Sequence, residues 1–236
     1  LYQSVMKKTI EHTDNLRLVQ AEIREVRTED KNGIPSVCSV VTRLSGVWNV
    51  KAAVICSGTY LDSRVIIGEV MYSSGPDGMH AAVGLTESLK KLGLHFLRFK
   101  TGTPPRLDAR SIDFSVLERQ DGEKIMKPYS ADTDPSVMSS RPNLPCYIAY
   151  TNEETHRIIR ENIHRSPLYS GEIKGIGPRY CPSIEDKVVR FPDKTRHQLF
   201  LEPTGDGTGE MYLQGFSSSM PADDQLMMLR SMKGLE

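Results

Sequence analysis

The segment VWNVKAAVICSGTYLD, residues 47–62, indicates the fold class most directly. Five apolar residues at positions 52–56 are followed by Ser57-Gly58-Thr59. Such a run is typical of a buried strand that ends in a glycine turn, where the backbone can approach a ligand closely. A strand end with an ordinary turn glycine gives the same pattern, so the motif alone leaves both interpretations open.

Two further runs rich in valine and isoleucine precede this segment, at residues 16–28 and 35–44. Asn32-Gly33 and Ser45-Gly46 separate the three runs, and dipeptides of this kind form tight hairpin turns. We therefore predict an antiparallel β-meander in this part of the chain.

Helical and strand patterns alternate after the meander. A glycine-flanked helix is predicted within residues 75–93, followed by a short strand, LHFLRF, at 94–99. The proline-containing segment KTGTPPRLDAR begins at residue 100, and we place a domain boundary just before it. The predicted fold class is α/β, with domains over residues 1–98 and 99–236.

A capped helix is predicted over residues 152–165. Thr151 stands three residues before Glu154, which is the spacing of a capping box. Isoleucines form an inward face and basic residues share the opposite face. The inward residues are Ile158, Ile159 and Ile163, and the basic residues are Arg157, Arg160 and His164.

The rest of the second half predicts a long loop, two strands and a closing helix. Residues 120–145 are polar and rich in proline and serine, which is typical of a loop. Residues 196–203 and 210–216 have the composition of strands. An amphipathic helix is predicted from Pro221 onward. Its inward residues are predicted to be Leu226, Leu229 and Met232.

Composition excludes several classes of protein. Thirty Lys and Arg balance thirty Asp and Glu, so bulk charge does not indicate a nucleic acid or membrane partner. No apolar run approaches the roughly 20 residues of a membrane helix, and no signal peptide opens the chain. The four cysteines form no CxxC pair, so we predict no metal site and expect a reduced, cytoplasmic setting. Because the chain opens within a helical pattern and not at methionine, we expect a piece of a longer protein.

The segment GIGPRYCPSIEDK, residues 175–187, holds the strongest candidate for a nucleophile, Cys181. A nearby guanidinium, Arg179, and a helix that begins after a second predicted cap at Ser183 would both favour a thiolate. A structural cysteine in a rigid turn is the alternative. Glu185, Asp186 and Lys187 follow, as proton-transfer groups or as a solvated charged patch.

Basic residues cluster in two places in the second half of the chain. The clusters could bind RNA phosphates, and interleaved tyrosines could stack on unpaired bases. An ordinary arginine-rich surface is the alternative. The first cluster comprises Arg98, Lys100, Arg106 and Arg110, and the second includes Arg157, Arg160, Arg165 and Arg179.

Five long motifs resemble one known family. They are GPRYCPSIEDKVVRF (177–191), KTGTPPRLDARSIDFS (100–115), YTNEETHRIIRENIHRSPLYSG (150–171), HQLFLEP (197–203) and QGFSSSMP (214–221). Together they resemble the bacterial tRNA uridine 5-carboxymethylaminomethyl modification enzymes, the MnmG or GidA family. The resemblance covers nearly the whole chain, but the family's N-terminal GxGxxG segment, an N-terminal active-site cysteine and its C-terminal helical domain are absent from it.

The resemblance implies a glutathione-reductase-like flavoprotein, in which a Rossmann-type FAD-binding domain is interrupted by an inserted α/β domain. Residues 1–98 would be the later part of the FAD domain, and 99–236 the inserted domain with its return. Positions that match FAD contacts are Ile23, Gly58, Thr59 and Ala82. The segment 177–191 matches the NADH-binding segment, with Gly177, Pro178, Arg179, Tyr180 and Phe191 as contact candidates.

The resemblance also implies an activity and partners. Such enzymes act with the GTPase MnmE, in a heterotetramer, on the wobble uridine U34 of tRNA, and the full-length enzyme is a homodimer. They use FAD and NADH, with methylene-tetrahydrofolate as the carbon donor and glycine or ammonium as the nitrogen source.

Cys181 matches one of the family's two essential cysteines, with Glu185, Asp186 and Lys187 as further catalytic candidates. Candidates for tRNA contact are Arg106, Arg157, Arg160, Arg165 and Arg179. Two alternatives stay open: a non-catalytic fragment that binds tRNA or a partner, and the folate-dependent tRNA uracil methyltransferases.

Overall fold

A computed structural model describes residues 2–123, 127–134, 136–137, 143–173 and 182–236. The chain divides into two compact units. The first unit comprises Leu1–Val65 and Tyr72–Phe96, and the second comprises Ile66–Met71 and Leu97–Glu236. The sequence places its domain boundary between residues 98 and 99, and the identity of these units with the two family domains stays a prediction.

The first unit contains the predicted β-meander. Strands β1 (Ile23–Lys31), β2 (Ile34–Thr42) and β3 (Val47–Asn49) form an antiparallel sheet in that order. Asn32 and Gly33 join β1 to β2 with positive φ angles of 58° and 81°, as a two-residue hairpin turn requires. The meander is therefore confirmed, and helix α1 (Tyr2–Glu11) precedes it.

The predicted buried strand at residues 52–56 is wrong. Strand β3 ends at Asn49, and no strand follows until β4 (Arg64–Ile67). Val54 is 89% exposed and Ile55 is 44% exposed. A strand needs a neighbour for its backbone N–H and C=O groups, and none of the described residues pairs with this run. The predicted strand at residues 94–99 is also absent: only Phe99 takes part in an isolated bridge, and Leu97 is 75% exposed.

The predicted helix within residues 75–93 is shorter than expected. Helix α2 spans Leu85–Lys91, because Gly84 has φ +98° and a 3₁₀ turn, Pro76–Gly78, occupies the earlier part. Leu85 and Leu89 of α2 pack with Val26 of β1 in a small core. A hairpin of β4 and β5 (Val70–Ser73) lies between the meander and α2 along the chain.

The second unit is built on a five-stranded antiparallel sheet with strand order β6-β10-β9-β8-β7. The predicted strands 196–203 and 210–216 are confirmed as β9 and β10. The bounds are β6 Arg106–Asp108, β7 Glu118–Gln120, β8 Cys146–Tyr150, β9 Gln198–Pro203 and β10 Glu210–Gln214. Three 3₁₀ turns occur at Ala109–Ser111, Phe114–Val116 and Ile163–Arg165.

Helices α3 (Glu153–Asn162), α4 (Ile184–Arg190) and α5 (Ala222–Arg230) also belong to the second unit. They share one core with the sheet, in which Ile159, Ile184 and Leu201 are fully buried. No helix in the described ranges is both long and apolar enough to cross a membrane. The core therefore fixes α3, which holds Arg157 and Arg160, and α4, which holds Glu185, Asp186 and Lys187, against one sheet.

Helix α3 is confirmed, but its cap is not the predicted one. Asn152 is the N-cap, and its side chain accepts a hydrogen bond from the Thr155 amide at 2.9 Å. Thr151 is instead held beside the sheet, because its amide donates to His197 O and its hydroxyl accepts from the His197 amide. The predicted capping box of Thr151 and Glu154 is therefore wrong by one residue.

Helix α5 is confirmed with a different inward face. Met228, Leu229 and Met232 are buried, whereas Leu226 is 48% exposed. The predicted spacing identified two of these residues but selected Leu226 in place of Met228.

Candidate functional site

The predicted FAD turn lies directly beside Ala82. The Ala82 amide donates to Tyr60 O at 2.8 Å, and the Asp62 amide donates to Ala82 O at 3.0 Å. These bonds form an isolated parallel bridge between Leu61 and Ala82. Two FAD candidates far apart in sequence, Gly58 and Ala82, are thus brought together.

The conformation of Gly58 suits a close backbone approach. Its φ is +52°, which favours glycine, and a Cβ there would meet only the Tyr60 ring, at 3.9 Å. Gly58 and Thr59 are both exposed, and Ala82 is half-buried. Ile23 and Leu61 pack against the same small core, so Ile23 lies in this part of the first unit.

The cysteine-containing segment is described only from Pro182 onward. Gly177, Pro178, Arg179, Tyr180 and Cys181 lie outside the described residues. Beyond them, the predicted cap at Ser183 is confirmed, since its hydroxyl accepts a hydrogen bond from the Asp186 amide at 3.2 Å. Phe191, the last of the NADH candidates, is half exposed at the end of α4.

Glu185 is fully buried, so it is not part of a solvated charged patch. Its Oε1 accepts hydrogen bonds from the Ser219 amide at 3.2 Å and from the Ser219 and Ser166 hydroxyls at 3.4 Å. Its Oε2 has no hydrogen-bond partner among the described residues. The carboxyl group therefore joins α4 to two other segments of the second unit.

Asp186 and Lys187 are half-buried and more accessible. The Tyr169 hydroxyl donates to Asp186 at 3.1 Å, and burial, together with the Asp186 carboxylate, raises the pKa of Tyr169 to about 12. Lys187 donates to Gly215 O at 2.9 Å. Both side chains thus hold defined positions on the first turn of α4.

Residues 215–221, which we call the serine loop, connect these elements. The Ile184 amide donates to Ser217 O at 2.7 Å, and the Gly68 amide at the tip of the β4–β5 hairpin donates to Ser219 O at 2.7 Å. The Ser218 amide donates to Thr103 O at 3.5 Å. Sequence analysis predicts no structural role for this loop, which stands out there only through its unusual GFSSSMP motif.

Two of the tRNA-contact candidates are engaged in ion pairs. Arg157 pairs with Glu154 and Glu161 on its own helix, which raises the pKa of the guanidinium. Arg165 pairs with three carboxylates, from Glu69, Asp223 and Asp224, and Asp224 is fully buried. Burial raises the pKa of Asp224, and the guanidinium of Arg165 opposes that change.

Arg106 and Arg160 have fewer acidic neighbours. Arg106 lies 4.5 Å over the Tyr212 ring, donates to Pro104 O at 2.9 Å, and is 3.8 Å from Glu210. Arg160 is exposed, and its guanidinium donates a 3.4 Å hydrogen bond to Pro192 O. Arg179 lies outside the described residues.

A pair of histidines below α3 was not predicted from the sequence. The His156 and His197 rings are 5.2 Å apart, and His156 Nε2 lies 2.8 Å from the Thr151 hydroxyl. Burial lowers the pKa of both. Their long sequence separation hides the pairing, because it depends on the register of β8 with β9.

A groove of about 530 Å³ runs along the end of β8. It is lined by Val116, Leu117, Glu118, Ile148, Ala149, Tyr150, Thr151, Asn152, Glu153, Thr195, Arg196 and Lys233. The Arg196 guanidinium lies 4.4 Å over the Tyr150 ring at this groove. The groove thus presents an aromatic face and two cations together.

Comparison with known proteins gives close relatives over the whole chain. A family model described as "Glucose inhibited division protein A" matches residues 1–236. A protein of Lachnoclostridium phytofermentans named tRNA uridine 5-carboxymethylaminomethyl modification enzyme MnmG is 53% identical over 235 residues. Proteins with the same name from Caldicellulosiruptor saccharolyticus and Geobacillus kaustophilus are 52% and 50% identical.

The structure agrees with a solved relative. The structure of Aquifex aeolicus GidA in its form I crystal matches 99% of this chain with a TM-score of 0.87 and 43% identity. The chain covers 39% of that solved chain and 36–37% of the three curated relatives named above. This similarity confirms the predicted fold class and the resemblance found in the sequence. The chain therefore belongs to the glucose-inhibited division protein A family, GidA.

Proposed function

We propose that the longer protein containing this chain modifies the wobble uridine, U34, of tRNA at C5, adding an aminomethyl or carboxymethylaminomethyl group. The observation that carries the proposal is the 53% identity, over all of this chain, to a relative named for that modification. The chain would contribute part of the flavin site and the segment that contains Cys181.

The first unit would hold part of FAD. The exposed turn at Gly58 and Thr59 lies beside Ala82, and a Cβ at Gly58 would have only one neighbour, so the backbone there is open to a close ligand. We therefore assign Ile23, Gly58, Thr59 and Ala82 to FAD binding. FAD, when bound, would supply the hydride-transfer chemistry, with NADH as the reductant along segment 177–191.

Cys181 would act on the uracil ring. C5 of uracil is a weak nucleophile, and a thiolate that adds to C6 converts the ring to an enolate that can attack a one-carbon donor from C5. Methylene-tetrahydrofolate is the proposed donor. Loss of the C5 proton would then expel tetrahydrofolate and leave an exocyclic methylene at C5. The amine of glycine or ammonium would add to that methylene, and elimination of the thiolate from C6 would restore the uracil ring.

Proton transfer would fall to the accessible residues of α4. Glu185, Asp186 and Lys187 are the sequence candidates, but Glu185 is enclosed by the serine loop, whereas Asp186 and Lys187 are half-exposed. We therefore place proton handling on Asp186 and Lys187 and give Glu185 a positioning role.

The proposed partners are tRNA, the GTPase MnmE and a second copy of the full-length protein. The proposed tRNA contacts are Arg106, Arg157, Arg160, Arg165 and Arg179.

The test is nucleoside mass spectrometry of tRNA from cells that lack the gene for the longer protein. The proposal predicts that C5-aminomethyl-type uridines disappear and that the intact gene restores them. Unchanged wobble uridines in the deleted cells would overturn the proposal.

A further inference from the structure

The loop between α4 and β9 places two of its own cations close to a third cation, on α3, and all three are exposed. Arg160 on α3 donates to Pro192 O in this loop at 3.4 Å, so α3 and the loop are neighbours. Lys194 and Arg196 belong to the same loop, and Arg196 lies over the Tyr150 ring at the end of β8. We call Arg160, Lys194, Arg196 and Tyr150 the 191–197 surface.

The three cations of this surface are not neutralised by ion pairs. Within the described ranges, no carboxylate lies at ion-pair distance from Arg160, Lys194 or Arg196. The nearest acidic residues along the chain are Asp193, next to Lys194, and Glu161, which follows Arg160 and is paired with Arg157. Phosphate binding here would therefore break no existing ion pair.

Arg157 and Arg165 differ in this respect. Arg157 is held between two glutamates, and Arg165 is bound by three carboxylates. A phosphate would have to compete with those partners for either guanidinium. The ion pairs therefore separate the arginines of the second basic cluster into engaged and available groups.

The positive charge of this surface contributes to the lowered pKa values of the two histidines that lie beneath it. Burial is the main cause of the lowered pKa of His156, followed by the His197 ring and the Arg160 guanidinium. For His197, burial again comes first, followed by the cations Lys187 and Lys194. The positive field thus extends from the surface into the adjoining core.

We propose that the 191–197 surface binds the phosphate backbone of tRNA, an inference that rests on the proposed function. Arg160, Lys194 and Arg196 supply the phosphate contacts. The stacked Arg196 and Tyr150 border the 530 Å³ groove, where an unpaired base can stack on an aromatic or guanidinium face. That stacking platform favours RNA over an acidic peptide.

The test compares two triple variants of the longer protein. The test variant is Arg160→Ala, Lys194→Ala and Arg196→Ala. The matched control, Arg27→Ala, Arg43→Ala and Arg119→Ala, removes the same charge at exposed arginines that are already paired with carboxylates and are not among the proposed tRNA contacts. Dissociation constants for an unmodified tRNA transcript with uridine at the wobble position are measured over a range of salt concentrations.

Each phosphate contact contributes about 0.9 to the slope of log K against log salt. In the test variant, the magnitude of that slope is expected to fall by about 2 to 3. Its affinity for the tRNA transcript near 0.1 M salt is expected to be at least about 30-fold weaker than that of the wild type. The control is expected to keep the wild-type slope. An equal decrease in slope and affinity in both variants would overturn the proposed phosphate-binding surface, but it would leave the proposed function unaffected.

A second variant guards against misfolding. Lys194→Ala alone removes an exposed side chain with no described hydrogen bond or ion pair, and it should lower the slope by about 0.9. An unchanged slope in this single variant would also overturn the surface. Failure of the wild-type protein to bind the transcript at all would count against the proposed function itself.

Discussion

Replacement of Glu185 by alanine tests whether this carboxyl group holds the serine loop in place. The side chain is fully buried, and its Oε1 accepts three hydrogen bonds from Ser166 and Ser219. Alanine would leave the buried Ser219 amide without an acceptor, at a cost of about 1–3 kcal/mol, and the emptied space adds to that cost. The two hydroxyls can rotate, so they contribute less.

The expected change in the free energy of opening the serine loop is about 2–4 kcal/mol for Glu185→Ala, or roughly 30- to 700-fold in the opening constant. Glu185→Gln keeps an oxygen at the Oε1 position and should cost less than about 1 kcal/mol. The two variants therefore distinguish loss of the acceptor from loss of the charge.

Hydrogen exchange of the longer protein, followed by mass spectrometry, measures this opening directly. Peptides that cover residues 215–221 should lose protection in the alanine variant, while peptides from β1 and β2 should not change. Exchange of the serine loop within threefold of wild type in Glu185→Ala would refute the anchoring role. Equal losses in the alanine and glutamine variants would refute the hydrogen-bond explanation.

Three further predictions concern stability. Folding lowers the pKa of His197 below its ordinary 6.5, so the unfolded chain binds the proton more readily than the folded chain. The stabilisation is therefore complete above pH 6.5 and is lost as the pH falls below that value. His197→Gln should accordingly make the melting temperature depend less on pH between pH 7.5 and 5.5. Gly68→Ala should open the β4–β5 hairpin in hydrogen exchange, because its Cβ would lie 2.8 Å from the Pro221 Cα, whereas Gly207→Ala, also at positive φ but with open space, should not. Arg165→Met leaves the buried Asp224 without its cation and should lower the melting temperature by more than about 4 °C, and an unchanged value would contradict the ion-pair role.

The sequence predicted elements well where the evidence for them is local. Asn32-Gly33 identified a hairpin because a two-residue turn needs positive φ at both positions, and the Ser183 cap followed from side-chain chemistry within one turn. The strands β9 and β10 were likewise found from composition alone. These features depend on residues within a few positions of each other.

Predictions failed where the outcome depends on distant residues. The apolar run at 52–56 has strand composition, but no described strand pairs with it. The pairing of Thr151 with His197 draws that residue to the sheet and moves the helix cap to Asn152. A sequence pattern does not contain these tertiary contacts, so local propensity gave the wrong assignment.

In the candidate site, too, the sequence identified individual residues, whereas their contacts with distant residues are visible only in the structure. Gly58 and Ala82 were named from family resemblance, and their hydrogen-bonded proximity through Tyr60 is visible only in the structure. Glu185 has the local sequence context of a solvated charge, yet Ser219, 34 positions away, encloses it. The role of a charged side chain therefore depended on which loop folds over it.

A comparison of Cys181→Ser with Cys146→Ser tests the proposed chemistry most directly. Each variant serves as the only copy of the longer protein in the cell, tRNA nucleosides are quantified by mass spectrometry, and flavin occupancy is measured by absorbance. Cys146 is the matched control, since burial raises the pKa of its thiol and keeps it protonated. We predict that Cys181→Ser abolishes the wobble modification with flavin retained, while Cys146→Ser leaves it intact. Normal modification in cells that carry only Cys181→Ser would contradict a catalytic role for this thiol.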